Sequence, residues 1–171
     1  LENSLVNRIW INNAASEINK CVNRDELPWM HQAAFDRGSF SAFLGVSINS
    51  DEKVIHLTGF GDTNAFVFFK DKLSRAFPIT RSEDFGNSPN LLSTNLSENS
   101  YIDDEYLENS KLTVPFEREE FVTIIVATDA LACWILKNVH NGGLKEILAI
   151  SDDTDFEQFV IEQRENGSLA V

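Results

Sequence analysis

A chain of 171 residues, 43% hydrophobic and 24% charged, has room for one sizeable core and the composition of a folded globular domain. Its 14 Lys and Arg against 27 Asp and Glu leave a net charge of −13, which disfavours nucleic acid and anionic membranes as partners and suits a cation, or simply solubility. No apolar run approaches the roughly 18 residues of a membrane helix, and Leu1-Glu2-Asn3-Ser4 lacks the basic and apolar stretches of a signal peptide, so the expectation is a cytoplasmic protein.

From Leu1 to Val22, Leu5, Ile9, Trp10, Ala14, Ile18 and Val22 recur at helical spacing, with polar residues between them. Cys21 lies in this stretch and Cys133 in a later apolar one. Without CxxC or Cys/His spacing, both are expected as buried small hydrophobes in a reducing compartment. Pro28 begins a second short helix that Gly38 stops. A meander of strands follows: Phe40 to Ile48, Val54 to Phe60, Ala65 to Phe69 and Leu73 to Ile79. Ser50-Asp51-Glu52, Gly61-Asp62-Thr63-Asn64 and Lys70-Asp71-Lys72 are its turns, and Phe66, Phe68, Phe69 and Phe77 its bulk. Residues 80 to 120 form a long polar excursion with Pro89 and Pro115 as breakers, read either as a substrate flap or as a loosely held insertion. Tyr101-Ile102 and Lys111 to Val114 are weak strand-like patches within it. Phe121 to Ala127 is continuous and β-branched, the pattern of a strand buried on both faces. Helices are expected over Ala130 to Val139, Leu144 to Ile150 and Phe156 to Arg164, the last opened by Asp152-Asp153-Thr154-Asp155.

Asp129 is the residue with most chemistry to offer. It ends a buried strand and precedes a helix, so its carboxylate needs a capping role, an ion partner or a metal. In Gly61-Asp62-Thr63-Asn64, Gly permits positive φ and the Asp side chain closes a turn, so Asp62 reads as structural. His31, His56 and His140 have no paired spacing and are expected as surface or packing residues. Asn95-Leu96-Ser97 and Asn166-Gly167-Ser168 match the glycosylation sequon by chance.

Three segments, in order, resemble the metal-dependent protein phosphatase family of the PP2C type. Gly38 to Val46 is similar to that family's small-residue strand. Val54 to Phe68, with Gly61-Asp62-Thr63-Asn64-Ala65, is similar to its Gly-Asp-Ser-Arg-Ala hairpin. Glu120 to Leu131, with Thr128-Asp129-Ala130, is similar to its strand ending in Ser-Asp-Gly. Leu1 to Val22 matches its first long helix, and Phe77-Pro78-Ile79-Thr80 lies where the family carries a Leu-Thr element. The resemblance implies one α+β domain over residues 1 to 171, a PP2C-like β-sandwich of mainly antiparallel strands flanked by helices in α-β-β-α layers. It implies Asp129 as a metal ligand, two Mn²⁺ or Mg²⁺ ions in the complete site, and hydrolysis of phosphoserine or phosphothreonine by a metal-activated water. The partner would be a phosphoprotein substrate. The alternative is an inactive pseudophosphatase that binds a regulatory protein partner.

The family's Asp-Gly ligand pair precedes its first helix, and its Asp-Asn segment follows a loop like Arg164 to Ser168. Both, with the phosphate-contacting arginine and the early strands, are expected outside this sequence. Ala130 stands where the family has Gly, and Asn64 where it has Arg. These departures suggest a divergent, bacterial branch.

Overall fold

The computed structural model describes residues 6–86, 88–117 and 121–169. The fold is mixed α+β, and its strands pair antiparallel. Helix α1 (Arg8–Lys20) is followed by α2 (Trp29–Arg37), whose cap residue is Gly38. The meander is β1 (Phe40–Ser41), β2 (Phe43–Asn49), β3 (Val54–Phe60), β4 (Asn64–Phe69) and β5 (Lys72–Phe77). The polar excursion contains β6 (Leu92–Ser93), α3 (Asp104–Asn109) and β7 (Lys111–Pro115). Then come β8 (Val122–Ala127), α4 (Asp129–Asn138), α5 (Gly143–Ala149) and α6 (Asp153–Glu165). Of the expected elements, the start of the first helix, Leu1 to Leu5, and Glu120 lie outside the described residues.

Two three-stranded sheets face each other, ordered β2-β3-β7 and β5-β4-β8, and the short pair β1-β6 stands apart. The core between them joins Ile55 and Leu57 of β3 and Val114 of β7 to Ala65 and Val67 of β4 and Phe77 of β5. Strand alternation explains this split. Ile55 and Leu57 point inward, while His56 and Thr113 face solvent and hydrogen-bond each other at 3.1 Å. On the outer face of the second sheet, Phe66, Phe68 and Ala127 pack against Trp134 and Ile135 of α4, Leu144 of α5 and Phe159 of α6. Phe66 and Phe68 are fully buried, each contributing about 2–3 kcal/mol of apolar transfer. At one end of the first sheet's outer face, Phe43 and Phe60 meet Val6, Ile11 of α1, Ile102 and Leu107 of α3.

Several expectations are corrected. The apolar run ending at Ala127 packs on both faces, Val122 and Ile124 against the core between the sheets and Ile125 and Ala127 against the helix side, but only partly, as an edge strand. Among the described residues β8 pairs only with β4, its residues are mostly half-buried, and Val126 is 52% exposed. In this sheet the strand with neighbours on both sides is β4, where Asn64 to Phe68 are all buried. The stretch expected as one strand from Phe40 divides at Ala42, because β1 joins β6 and β2 joins β3. The fourth strand stops at Phe77, since Pro78 has no N–H for a ladder.

Helix α1 buries Ile11 and Ala15 rather than the stripe expected for it. Ile9 is 71% exposed, and Ile18 and Val22 also face solvent. Apolar residues lie on both sides of this helix and only one side meets the sheet, where the Trp10 and Phe43 rings meet tilted at 53°, with centroids 5.4 Å apart. Neither cysteine is buried: Cys21 is exposed, Cys133 half-buried, and both are free thiols. The three histidines are exposed, as expected.

The polar excursion is a built structure. Asn99 is buried and grips Ser93, accepting its N–H at 2.8 Å and donating to its carbonyl at 2.9 Å. The Tyr101 hydroxyl donates to the Leu91 carbonyl at 3.0 Å, and Tyr101 and Tyr106 meet edge to face at 5.0 Å. Burial pushes the Tyr101 phenol up to about 12. Tyr101 ends a turn and Ile102 is irregular rather than strand, whereas Lys111 to Pro115 is β7 and pairs with β3 along its whole length.

Candidate functional site

The candidate site forms at one end of the second sheet. β3 and β4 are joined by Gly61, Asp62 and Thr63, and β4 then begins at Asn64, opposite Ala127, the last residue of β8. The antiparallel register, carried two residues past that pair, brings Asp62 and Asp129 to the same end of the sheet. They are 67 positions apart in sequence (129 − 62), and only the β4–β8 pairing brings them to one place.

Gly61 holds the turn in a form that other residues reach with strain, at φ +87°. A Cβ there would also stand 2.8 Å from a Leu91 methyl and 2.9 Å from the Ala42 Cβ. The turn is therefore seated against the polar excursion on one side and the start of the meander on the other. Asp62 is half-buried within it, and among the described residues no hydrogen bond or ion pair engages its carboxylate, so the side chain does not close the turn as expected.

Asp129 is not the N-cap that one reading of its position expected. Thr128, extended at φ −76° and ψ 169°, occupies the N-cap position, and its carbonyl accepts the Ala132 N–H at 2.8 Å. Asp129 is the first helical residue, where a carboxylate complements the positive end of the helix dipole. It is exposed, so the burial cost that would demand a partner does not arise. Among the described residues, no hydrogen bond or ion pair engages its carboxylate. Ala130, next along, is half-buried and packs its methyl on the helix-side core.

Asn64 is the residue that sequence reasoning undervalued. It is fully buried, accepts the Ile79 N–H at 2.8 Å and donates to the Ile79 carbonyl at 2.9 Å. Its amide thus imitates a strand neighbour and pins the chain beyond β5 beside the Asp62–Asp129 end. The available signal was a lone amide at the head of the apolar run Asn64-Ala-Phe-Val-Phe-Phe69, where an unpaired polar group would be costly. A residue devoted to this clamp cannot reach a ligand. Just beyond, Arg81 is held by both carboxylate oxygens of Asp84, at 3.0 and 2.8 Å. That pairing raises the guanidinium's pKa and lowers the carboxyl's.

Hard divalent cations take six or more oxygen ligands, which Mg²⁺ draws from one or two carboxylates together with several waters. Among the described residues no group of three or more His, Cys, Asp and Glu side chains is placed to hold an ion. Asp129 can supply one ligand, and the dinuclear centre is not assembled by the described donors. No helix of the described residues is long and apolar enough to cross a membrane. In comparisons with known proteins, no family model, no curated protein and no solved structure matches this chain.

Proposed function

We propose that the chain is a divergent domain of the metal-dependent, PP2C-type phosphatases, acting on phosphoserine or phosphothreonine in proteins. The observation that supports this reading best is the position of Asp129. An exposed, unengaged carboxylate follows β8 at the end of one of two facing antiparallel sheets, beside the Gly61-Asp62 turn, with helices outside both sheets. The resemblance implies the same order of parts and the same role for this aspartate, as one ligand of an Mn²⁺ or Mg²⁺ site. The resemblance assigns no other residue of this sequence as a metal ligand.

A second reading is favoured by the clamped Asn64, the Ala130 substitution and the small donor set: a pseudophosphatase that serves as a protein-interaction module. One experiment separates them. The full-length protein is assayed with saturating Mn²⁺ on a phosphothreonine peptide and an aryl phosphate, beside Asp129→Ala. The phosphatase reading expects metal-dependent phosphate release that falls by more than about 100-fold in the variant, exceeding the usual loss of an outer-shell partner. No release from the folded wild-type protein would overturn it and leave the interaction module.

A further inference from the structure

Helices α5 and α6 enclose a shallow groove of about 270 Å³, lined by Glu146, Ala149, Ile150, Asp155, Phe159 and Glu162, with two glutamines. Its floor is apolar: Ala149, Ile150 and the ring of Phe159, which rests edge-on against Trp134 at 5.0 Å. Phe156, outside the groove lining, stacks on Phe159 with ring centroids 6.5 Å apart and is 43% exposed. The walls carry three carboxylates and no lysine or arginine. Lys145 and Arg164 sit on the same two helices but do not line the groove.

Among the described residues, some acids elsewhere on the surface are compensated by a cation and others, Asp129 with them, are not. Glu17, Asp36, Asp84 and Glu108 each hold a cation at 2.6–2.9 Å. Glu146, Asp155 and Glu162 hold none among the described residues. Asp155 accepts the Ser151 hydroxyl and N–H, which lowers its pKa and keeps it charged. Glu162 accepts the Gln158 amide at 2.7 Å. Three uncompensated negative charges thus surround an apolar floor on a chain already at −13.

We propose that this groove docks a basic amphipathic segment of a partner protein, which inserts one large apolar side chain between α5 and α6 and sets lysines or arginines against Glu146, Asp155 and Glu162. Charge complementarity selects the occupant: an anionic peptide, nucleic acid or acidic lipid is repelled, and a bare cation leaves the apolar floor unused. The size agrees, because 270 Å³ falls below the roughly 300–1,000 Å³ of small-molecule pockets and suits a single side chain. None of these residues belongs to the Asp62–Asp129 end, so the proposal stands apart from the phosphatase reading.

The test is fluorescence anisotropy with a labelled synthetic peptide of about a dozen residues, helix-forming, with central leucines flanked by lysines. Binding is expected to weaken steeply between low salt and about 0.3 M. The double variant Glu146→Gln/Glu162→Gln should lose about tenfold in affinity, one decade for two charge contacts removed. Ala149→Trp, which fills the groove without changing charge, should lose as much. Circular dichroism melts confirm that each variant is folded, and Glu17→Gln/Asp36→Asn controls for total charge. Unchanged binding in the groove variants overturns the proposal. So does equal binding by a peptide whose leucines are replaced by serine, since that result reads as condensation of a polycation on an acidic surface.

Discussion

Asn64 shows how one side chain can serve as backbone. Its amide meets both polar groups of Ile79 at 2.8–2.9 Å inside the protein, as Asn99 meets both of Ser93. Truncating Asn64 to alanine strands an N–H and a carbonyl at a half-buried position, so Asn64→Ala should cost about 2–4 kcal/mol in urea denaturation. Asn64→Asp adds a sign. A buried, unpaired carboxyl has its pKa raised above the unfolded value near 4. It stays neutral below that value and loses stability as pH rises through the raised pKa. Relative to wild type, Asn64→Asp should therefore be less stable at pH 8 than at pH 4. Equal penalties at both pH values would show that the site is not desolvated. Asp129 illustrates the opposite case, a residue whose charge was legible but whose exposure was not.

Among secondary elements, α6 depends most on a single contact. Phe159 is its one buried residue, set against Trp134 and Leu169, while the Trp134 indole donates to Gln163 at 3.0 Å. Truncating it leaves a hole where a ring was, at about 3–5 kcal/mol for a buried Phe→Ala change. Part of that loss should be local: in Phe159→Ala, amides of α6 exchange fast while those of β4 stay protected, as hydrogen exchange can show. Uniform loss of protection across both elements would mean that the helix and the sandwich unfold as one unit. β4 and β8 teach a related lesson. Both are apolar and rich in strand formers, and their composition does not say which has two neighbours. Position in the order β5-β4-β8 decides it. Helix α1 is similar: a helix with apolar residues on both sides is legible as a helix, but the buried side belongs to whatever packs on it.

For the molecule as a whole, charge and layering carry separate consequences. A net charge of −13 on a chain of this length implies self-repulsion at low ionic strength. The screening length shrinks from about 30 Å at 0.01 M salt to about 8 Å at 0.15 M. The melting temperature should then rise by about 2–6 °C over that range, at roughly 3 °C per kcal/mol for this size. A flat response in scanning calorimetry would show that the acids are already compensated where they stand.

Local physics made most elements legible from the chain alone: helix periodicity, the meander and its turns, Gly38 as a stop, and α4 beginning beside Asp129. These depend on residues near one another in sequence. Which faces are buried, that β8 is an edge, that Asn99 and Tyr101 hold Ser93 and Leu91 within the polar excursion, and that Asp62 and Asp129 share one end of a sheet are long-range facts. They follow from strand pairing and from the packing of distant side chains, whose free energies act only once the chain has closed on itself. The groove between α5 and α6 is of the same kind. Its carboxylates were countable in the sequence, but their convergence around an apolar floor exists only in the tertiary structure.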